Sequence, residues 1–172
     1  MTLAEAAARH AILLCPPRGR RFAKVEARVS HLFIKPAHGA PMEPRAAVRA
    51  VSGHGLDGDA AFGTSRRQVL LLDDQTLTEF DLTPGLIREN ITVSGMRLNG
   101  IARGAQLHIG EVILEITGDC TPCDFLDQLR PGLRQAIAGR RGVLARVARG
   151  GDLALGEVVH LLATEPTVPP SR

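Results

Sequence analysis

Hydrophobic and polar positions along the chain fall into short runs. Eight of these read as β-strands: Val25 to Ile34, Ala46 to Val51, Gln68 to Leu72, Asn90 to Val93, Gln106 to Ile109, Val112 to Thr117, Val143 to Val147 and Val158 to Leu162. Between them stand Pro36-Ala37-His38-Gly39, Ser52-Gly53-His54-Gly55, Ser94-Gly95, Asn99-Gly100, Ile109-Gly110 and Arg149-Gly150-Gly151-Asp152, which supply the backbone freedom that turns need. Short strands at this spacing predict a mainly β protein, a barrel or a sandwich. Helical signals are few. Asp73 to Phe80 carries acids at a first turn and apolar residues at 77 and 80, which suits one helix next to an N-cap. Phe125 to Leu129 predicts a second, and Pro131 to Ala138 a third that starts near its proline and stops at Gly139. Long strands do not alternate with long helices, so a doubly wound sheet fits poorly.

The first 22 residues have a different character. An Ala-rich start runs into Cys15-Pro16-Pro17-Arg18-Gly19-Arg20-Arg21, which fits neither structural period, and residues 1–22 are expected to form a fraying appendage. One domain over residues 23–163 and a tail at 164–172 complete the expected organisation. The start lacks the basic and apolar regions of a secretory signal, and no apolar run nears the ~20 residues of a membrane span. A membrane partner is therefore not expected, and the chain reads as cytoplasmic with reduced thiols.

Charge narrows the candidates further. Of 21 basic residues only Lys24 and Lys35 are lysine, against 18 acids and a net charge of +3. Arginine favours forked contact with phosphate or carboxylate, although compositional drift toward arginine would leave the same mark. With five Phe and no Trp or Tyr, the chain lacks the stacking surfaces of a nucleic-acid binder, and nucleic acid is not an expected partner.

The sharpest chemical feature is Cys120-Thr121-Pro122-Cys123, between a strand and a helix. A thiol ahead of a helix gains thiolate character from the helix dipole, while Asp119, Asp124 and Asp127 oppose that gain. Zinc binding, a dithiol redox pair and two ordinary core thiols are the readings open to this motif. Gly55-Leu56-Asp57-Gly58-Asp59 is a second cluster, in which Asp59 either orients Arg66 or Arg67 or satisfies loop N–H groups. In a third, Pro84 to Gly95, Asn90 holds either its own loop or the polar edge of a ligand.

In order, the chain carries Gly55-Leu56-Asp57-Gly58-Asp59, Arg67-Gln68-Val69, Pro84-Gly85, Glu89-Asn90-Ile91-Thr92, Leu98, Gly104, Leu107-His108-Ile109-Gly110, Pro122-Cys123, Arg130-Pro131-Gly132-Leu133, Gly142-Val143 and Gly150-Gly151. This ordered set resembles the MOSC domain, the module named after the C-terminal part of molybdenum cofactor sulfurases and found as small standalone bacterial proteins. The resemblance runs from about Lys24 to Leu162. It implies a mainly antiparallel β-barrel with a few short helices and a single functional cysteine, whose place falls on Cys123. In relatives that cysteine ligates molybdenum in a pterin cofactor, as in enzymes similar to the amidoxime reducing component that reduce N-hydroxylated compounds, or carries sulfur from a cysteine desulfurase.

The resemblance thus implies molybdenum cofactor as the bound group, Cys123 as metal ligand and catalytic residue, and Cys120 as an adjunct outside the shared pattern. Guanidinium groups suit the pterin phosphate, and Arg67, Arg97, Arg141 and Arg146 are the candidates, with Asn90 and Asp59 as further cofactor-binding residues. Arg146 lies in a strand whose alternation turns it, with Leu144, away from Val143, Ala145 and Val147. Without a flavin, nicotinamide or iron–sulfur motif, such an enzyme needs an external electron donor for its small-molecule substrate. The alternatives are a persulfide carrier without metal, served by a cysteine desulfurase, and an anion-binding module in which the cysteine is structural.

Overall fold

A computed structural model describes residues 26–162. The appendage expected at 1–22 and the tail at 164–172 lie outside the described residues. Eleven strands and three short helices follow one another as β1 (Arg28–Ile34), β2 (Glu43–Pro44), β3 (Ala47–Val51), β4 (Gly55–Leu56), β5 (Val69–Asp73), α1 (Asp74–Glu79), β6 (Ile91–Ser94), β7 (Gln106–Ile109), β8 (Val112–Asp119), α2 (Phe125–Leu129), α3 (Leu133–Ala136), β9 (Val143–Arg149), β10 (Gly151–Ala154) and β11 (Val159–Leu162).

Each of the eight expected strands is present. Eight strands form a curled sheet in the order β11-β7-β8-β9-β5-β6-β1-β2, and β10-β3-β4 form a smaller one. The large sheet closes on itself where the start of β1 meets the start of β11. The Val29 N–H donates to the Glu157 carbonyl at 2.9 Å, the Gly156 N–H to the Val29 carbonyl at 2.8 Å and the Val159 N–H to the Ala27 carbonyl at 2.8 Å, so the start of β1 is sewn to the segment leading into β11. Pairing is antiparallel throughout except that β5 and β6 run parallel, because α1 and the loop after it carry the chain back to the same end of the sheet.

Alternation explains the interior. β8 buries Val112, Leu114 and Ile116 and leaves Ile113, Glu115 and Thr117 partly exposed, as expected of a sheet with one packed face. The barrel core joins these to Val69, Leu71, Ile91, Val93, Leu107, Ile109, Val143, Ala145 and Val147. β5 is buried along its whole length because a second cluster covers its other face, where Leu72 meets Leu77, Leu82, Ile87, Leu126, Leu133 and Ile137. That cluster seats all three helices against the sheet.

Local signals set the helices. Asp73 caps α1, its Oδ1 accepting the Thr76 N–H at 2.8 Å. Pro131 stands just ahead of α3 instead of opening it: Gly132, at φ +82°, occupies the N-cap, and the helix begins at Leu133. Short β2, β4 and β10 were not expected, and Gly151-Asp152, read as part of a turn, opens β10.

Candidate functional site

One end of β5, β8 and β9 opens on a cavity of about 360 Å³ whose walls include Lys35, His38, Met42, Asp59, Arg67, Leu70, Arg88, Asn90, Cys120, Cys123, Arg141 and Leu144. Its geometry starts with a close backbone contact. A Cβ on Gly142 would lie 2.2 Å from the Leu71 carbonyl oxygen, and the residue has φ +91°, so only glycine lets the chain enter β9 this close to β5. The Gly142 carbonyl accepts the Cys120 N–H at 3.0 Å. This bond fastens the end of β8 to the start of β9 and sets Arg141 against the Cys120 to Cys123 segment.

β8 reaches that position through irregularity. Its register with β9 shifts between Ile116 and Gly118, a bulge of the kind that re-aims a strand at its end. Beside the bulge the Thr117 hydroxyl lies 2.6 Å from the Arg66 carbonyl oxygen, which anchors the backbone next to Arg67. Leu126 and Leu133, both buried, hold α2 and α3 behind the cysteine segment, and the Leu126 N–H donates to the Cys123 carbonyl at 3.0 Å.

The two thiols differ. Cys123 is exposed and Cys120 buried. Burial pushes the Cys120 thiol up, only partly countered by the guanidinium groups of Arg141 and Arg67, so Cys120 stays a neutral thiol at physiological pH. The helix after Cys123 has five residues, and Asp124 at its N-cap makes no side-chain cap bond. Of the three carboxylates near the motif, Asp124 pairs with Arg134 and Asp127 accepts the Arg134 N–H at 3.0 Å, while Asp119 is exposed.

Arg141 is the most unusual group in the cavity. It is 5% exposed, and its Nε and Nη1 are buried with no hydrogen-bond partner. A buried guanidinium left this way is costly unless an anion completes it. Glu89, fully buried behind it, is held by the Gly85 N–H at 2.5 Å; burial raises its pKa, and Arg141 pulls the other way. With Lys35, Arg67 and Arg88 the cavity walls carry four cations against one carboxylate, Asp59.

Asp59 and Asn90 line the cavity but turn their polar atoms to the scaffold. Asp59 accepts the Lys35 N–H at 2.7 Å, the Ala61 N–H at 2.8 Å and Asn90 Nδ2 at 2.9 Å. Asn90 Oδ1 accepts the Leu70 N–H at 3.0 Å. Of the readings open for these residues, the geometry displays the loop-holding one, and Asp59 makes no ion pair with Arg66 or Arg67.

Arg146, expected among the cofactor-binding residues, stands apart from them. It alternates outward as expected, but two residues beyond Leu144 it pairs with Glu115 at 2.8 Å and lines a separate hollow with Arg66 and Arg103. Arg97 pairs with Glu79 and lies 3.5 Å from Asp73, at α1. Both arginines are taken by carboxylates distant in sequence. The structure thus brings together Cys120, Cys123, Arg67, Arg141, Asn90 and Asp59, and adds Lys35, His38 and Arg88, which were not among the cofactor-binding candidates. Arg88 had one visible signal, its place in the Pro84 to Gly95 turn segment. Among the described residues, no three His, Cys, Asp or Glu side chains gather as metal ligands, and no helix is long and apolar enough to cross a membrane.

A curled, mainly β domain with a cationic cavity and an exposed thiol at the rim is thus what the fold and site define. Residues 51–160 match the family model of the MOSC domain, and the chain belongs to that family, which is known for binding molybdenum cofactor. Similar solved structures include the YUAD protein from Bacillus subtilis, at TM-score 0.71 and 18% identity over 81% of this chain and 97% of that one. YiiM from Escherichia coli matches at TM-score 0.62 and 17% identity, over 82% and 72% of the two chains. YiiM from Geobacillus stearothermophilus matches at TM-score 0.62 and 16% identity, over 79% and 75%. At these identities the likeness is one of fold. No curated protein sequence matches the chain.

Proposed function

We propose that this chain binds molybdenum cofactor in the cavity and reduces N-hydroxylated small molecules, with electrons from a separate carrier protein. The observation that carries this reading is Arg141, buried, charged and without a partner at two nitrogens, in the same cavity as the exposed thiol of Cys123. The donor set fits the group. A soft thiolate suits molybdenum, and the guanidinium groups of Arg141 and Arg67 suit a phosphate in forked geometry.

Cys123 would ligate the metal, Arg141 and Arg67 would hold the phosphate, and Asp59 with Asn90 would keep the wall that carries Lys35 in place. When bound, the group supplies two-electron chemistry at an N–O bond. The overall change is R–NHOH plus two electrons and two protons giving R–NH2 plus water, the electrons coming from the external carrier. Lys35, Arg67, Arg88 and Arg141 give the cavity a positive potential that favours an anionic cofactor and concentrates it there. The reading places the protein in the cytoplasm, where Cys120 and Cys123 stay reduced.

The test is the metal and pterin content of protein freshly purified from a cofactor-producing host. Near-stoichiometric molybdenum and pterin, lost in Cys123→Ala, is the expected result. Protein without molybdenum but with a persulfide on Cys123 would replace this reading with that of a sulfur carrier.

A further inference from the structure

Beside the cationic cavity lies a second hollow of about 390 Å³ with a different lining, which includes Phe33, Leu86, Phe125 and Leu129. The two share Met42 and Arg88 as walls. Arg88 is the partition. Its backbone is left-handed at φ +68°, a conformation uncommon for a non-glycine residue, and its guanidinium lies 3.7 Å from the centroid of the Phe125 ring. The stacking covers the ring's π face with charge and keeps the boundary between the hollows in place. Gly85 backs the apolar side, where a Cβ would come within 3.0 Å of the Phe33 ring.

We infer that this apolar hollow is the specificity site for the substrate's body: the substrate is an uncharged molecule with an aromatic or branched alkyl group that sits between Met42 and the Phe125–Leu129 wall while its polar, reacting end passes Arg88 toward Cys123. This inference rests on Cys123 being the reactive centre. Three observations converge on it. The hollow adjoins the thiol's cavity, with Met42 and Arg88 as common walls, so a molecule seated in it lies beside that cavity. Its size falls within the range of small-molecule sites. Leu86 and Leu129 expose 43% and 36% of their surface, apolar area that a ring would remove from water. Met42 supplies an unbranched, polarizable wall that adapts to differing ring shapes, so the site selects for apolar bulk more than for outline.

Benzhydroxamic and acetohydroxamic acid form a probe pair with the same N–OH head, one with a ring and one with a methyl group. Titrated into the purified full chain and followed by NMR of the methionine and leucine methyls, the ring compound should bind at least tenfold more tightly and shift the Met42 and Leu129 methyls, and Leu129→Asp should erase that preference. Equal affinity for the two probes, or ring-dependent shifts confined to other methyls, would overturn the inference, whatever becomes of the Leu129 variant's folding. Equilibrium binding separates this idea from the proposed activity. A ring preference retained in protein that reduces neither probe sinks the activity and leaves the site, whereas reduction of both probes with no ring preference in binding sinks the site and leaves the activity.

Discussion

Asn90 donates through Nδ2 to the Asp59 carboxylate at 2.9 Å, a side-chain bond across 31 residues that joins the loop after β4 to the entry of β6. The same amide accepts the Leu70 N–H, so one residue ties two loops and a central strand at the cavity wall. Asn90→Ala leaves both partners buried and short of a bond, at about 1–3 kcal/mol each for unsatisfied groups. Urea denaturation should show a loss of about 2 kcal/mol or more. A loss below about 0.5 kcal/mol would mean that the network is not what holds the wall.

The unequal burial of the two thiols predicts ordered alkylation. Iodoacetamide added to the native protein should modify Cys123 and spare Cys120, which is buried and protonated, and Cys120 should react once the chain is denatured. Peptide mass spectrometry reads this directly. Native modification of Cys120 ahead of Cys123 would reverse the assignment of the accessible sulfur.

Arg141→Met tests whether that guanidinium serves a ligand or the fold. Its Nε and Nη1 make no bond that the substitution could break, and an apolar side chain of similar length removes a buried charge. The unfolding midpoint should therefore hold or rise, while affinity for inorganic phosphate falls at least tenfold, about 1.4 kcal/mol. A marked drop in stability with unchanged phosphate binding would mean that Arg141 is structural.

Glu89 predicts a pH signature. Burial raises its carboxyl pKa above the unfolded value, so the folded state keeps its proton over a range in which the unfolded chain has lost it. Its contribution to stability is complete below the ordinary carboxylate range and declines as pH rises toward the folded-state pKa. In Glu89→Gln the amide oxygen can still accept the Gly85 N–H, and no proton is lost. The stability of wild type relative to this variant should thus fall with rising pH across that window, as measured by denaturation at several pH values, and a difference that grows with pH would contradict the burial argument.

The strands were legible because burial on one face imposes alternation, which β8 shows over Val112 to Thr117. Strands β2 and β4 have two residues each, too few for a period to register, and β10 hides in a glycine-rich stretch whose composition signals a turn. The parallel pairing of β5 with β6 depends on how α1 folds back, which strand patterning does not encode. At the site, the motif around Cys123 is local and was visible. Arg146 and Arg97 were not separable from Arg67 and Arg141, because what distinguishes them is the acid each one meets in space, Glu115 and Glu79, at separations of 31 and 18 residues. Lys35 carried no motif; it joins the cavity because β1 ends there.

The Val159 N–H donates to the Ala27 carbonyl, which brings the start of β11 and the approach to β1 to one spot on the barrel. β1 leads from there to Lys35 at the cavity over seven residues, roughly 20 Å of extended strand. Damage at this seam would thus reach the mouth only along the length of β1, so a loosened seam would cost stability well before it disturbed the thiols.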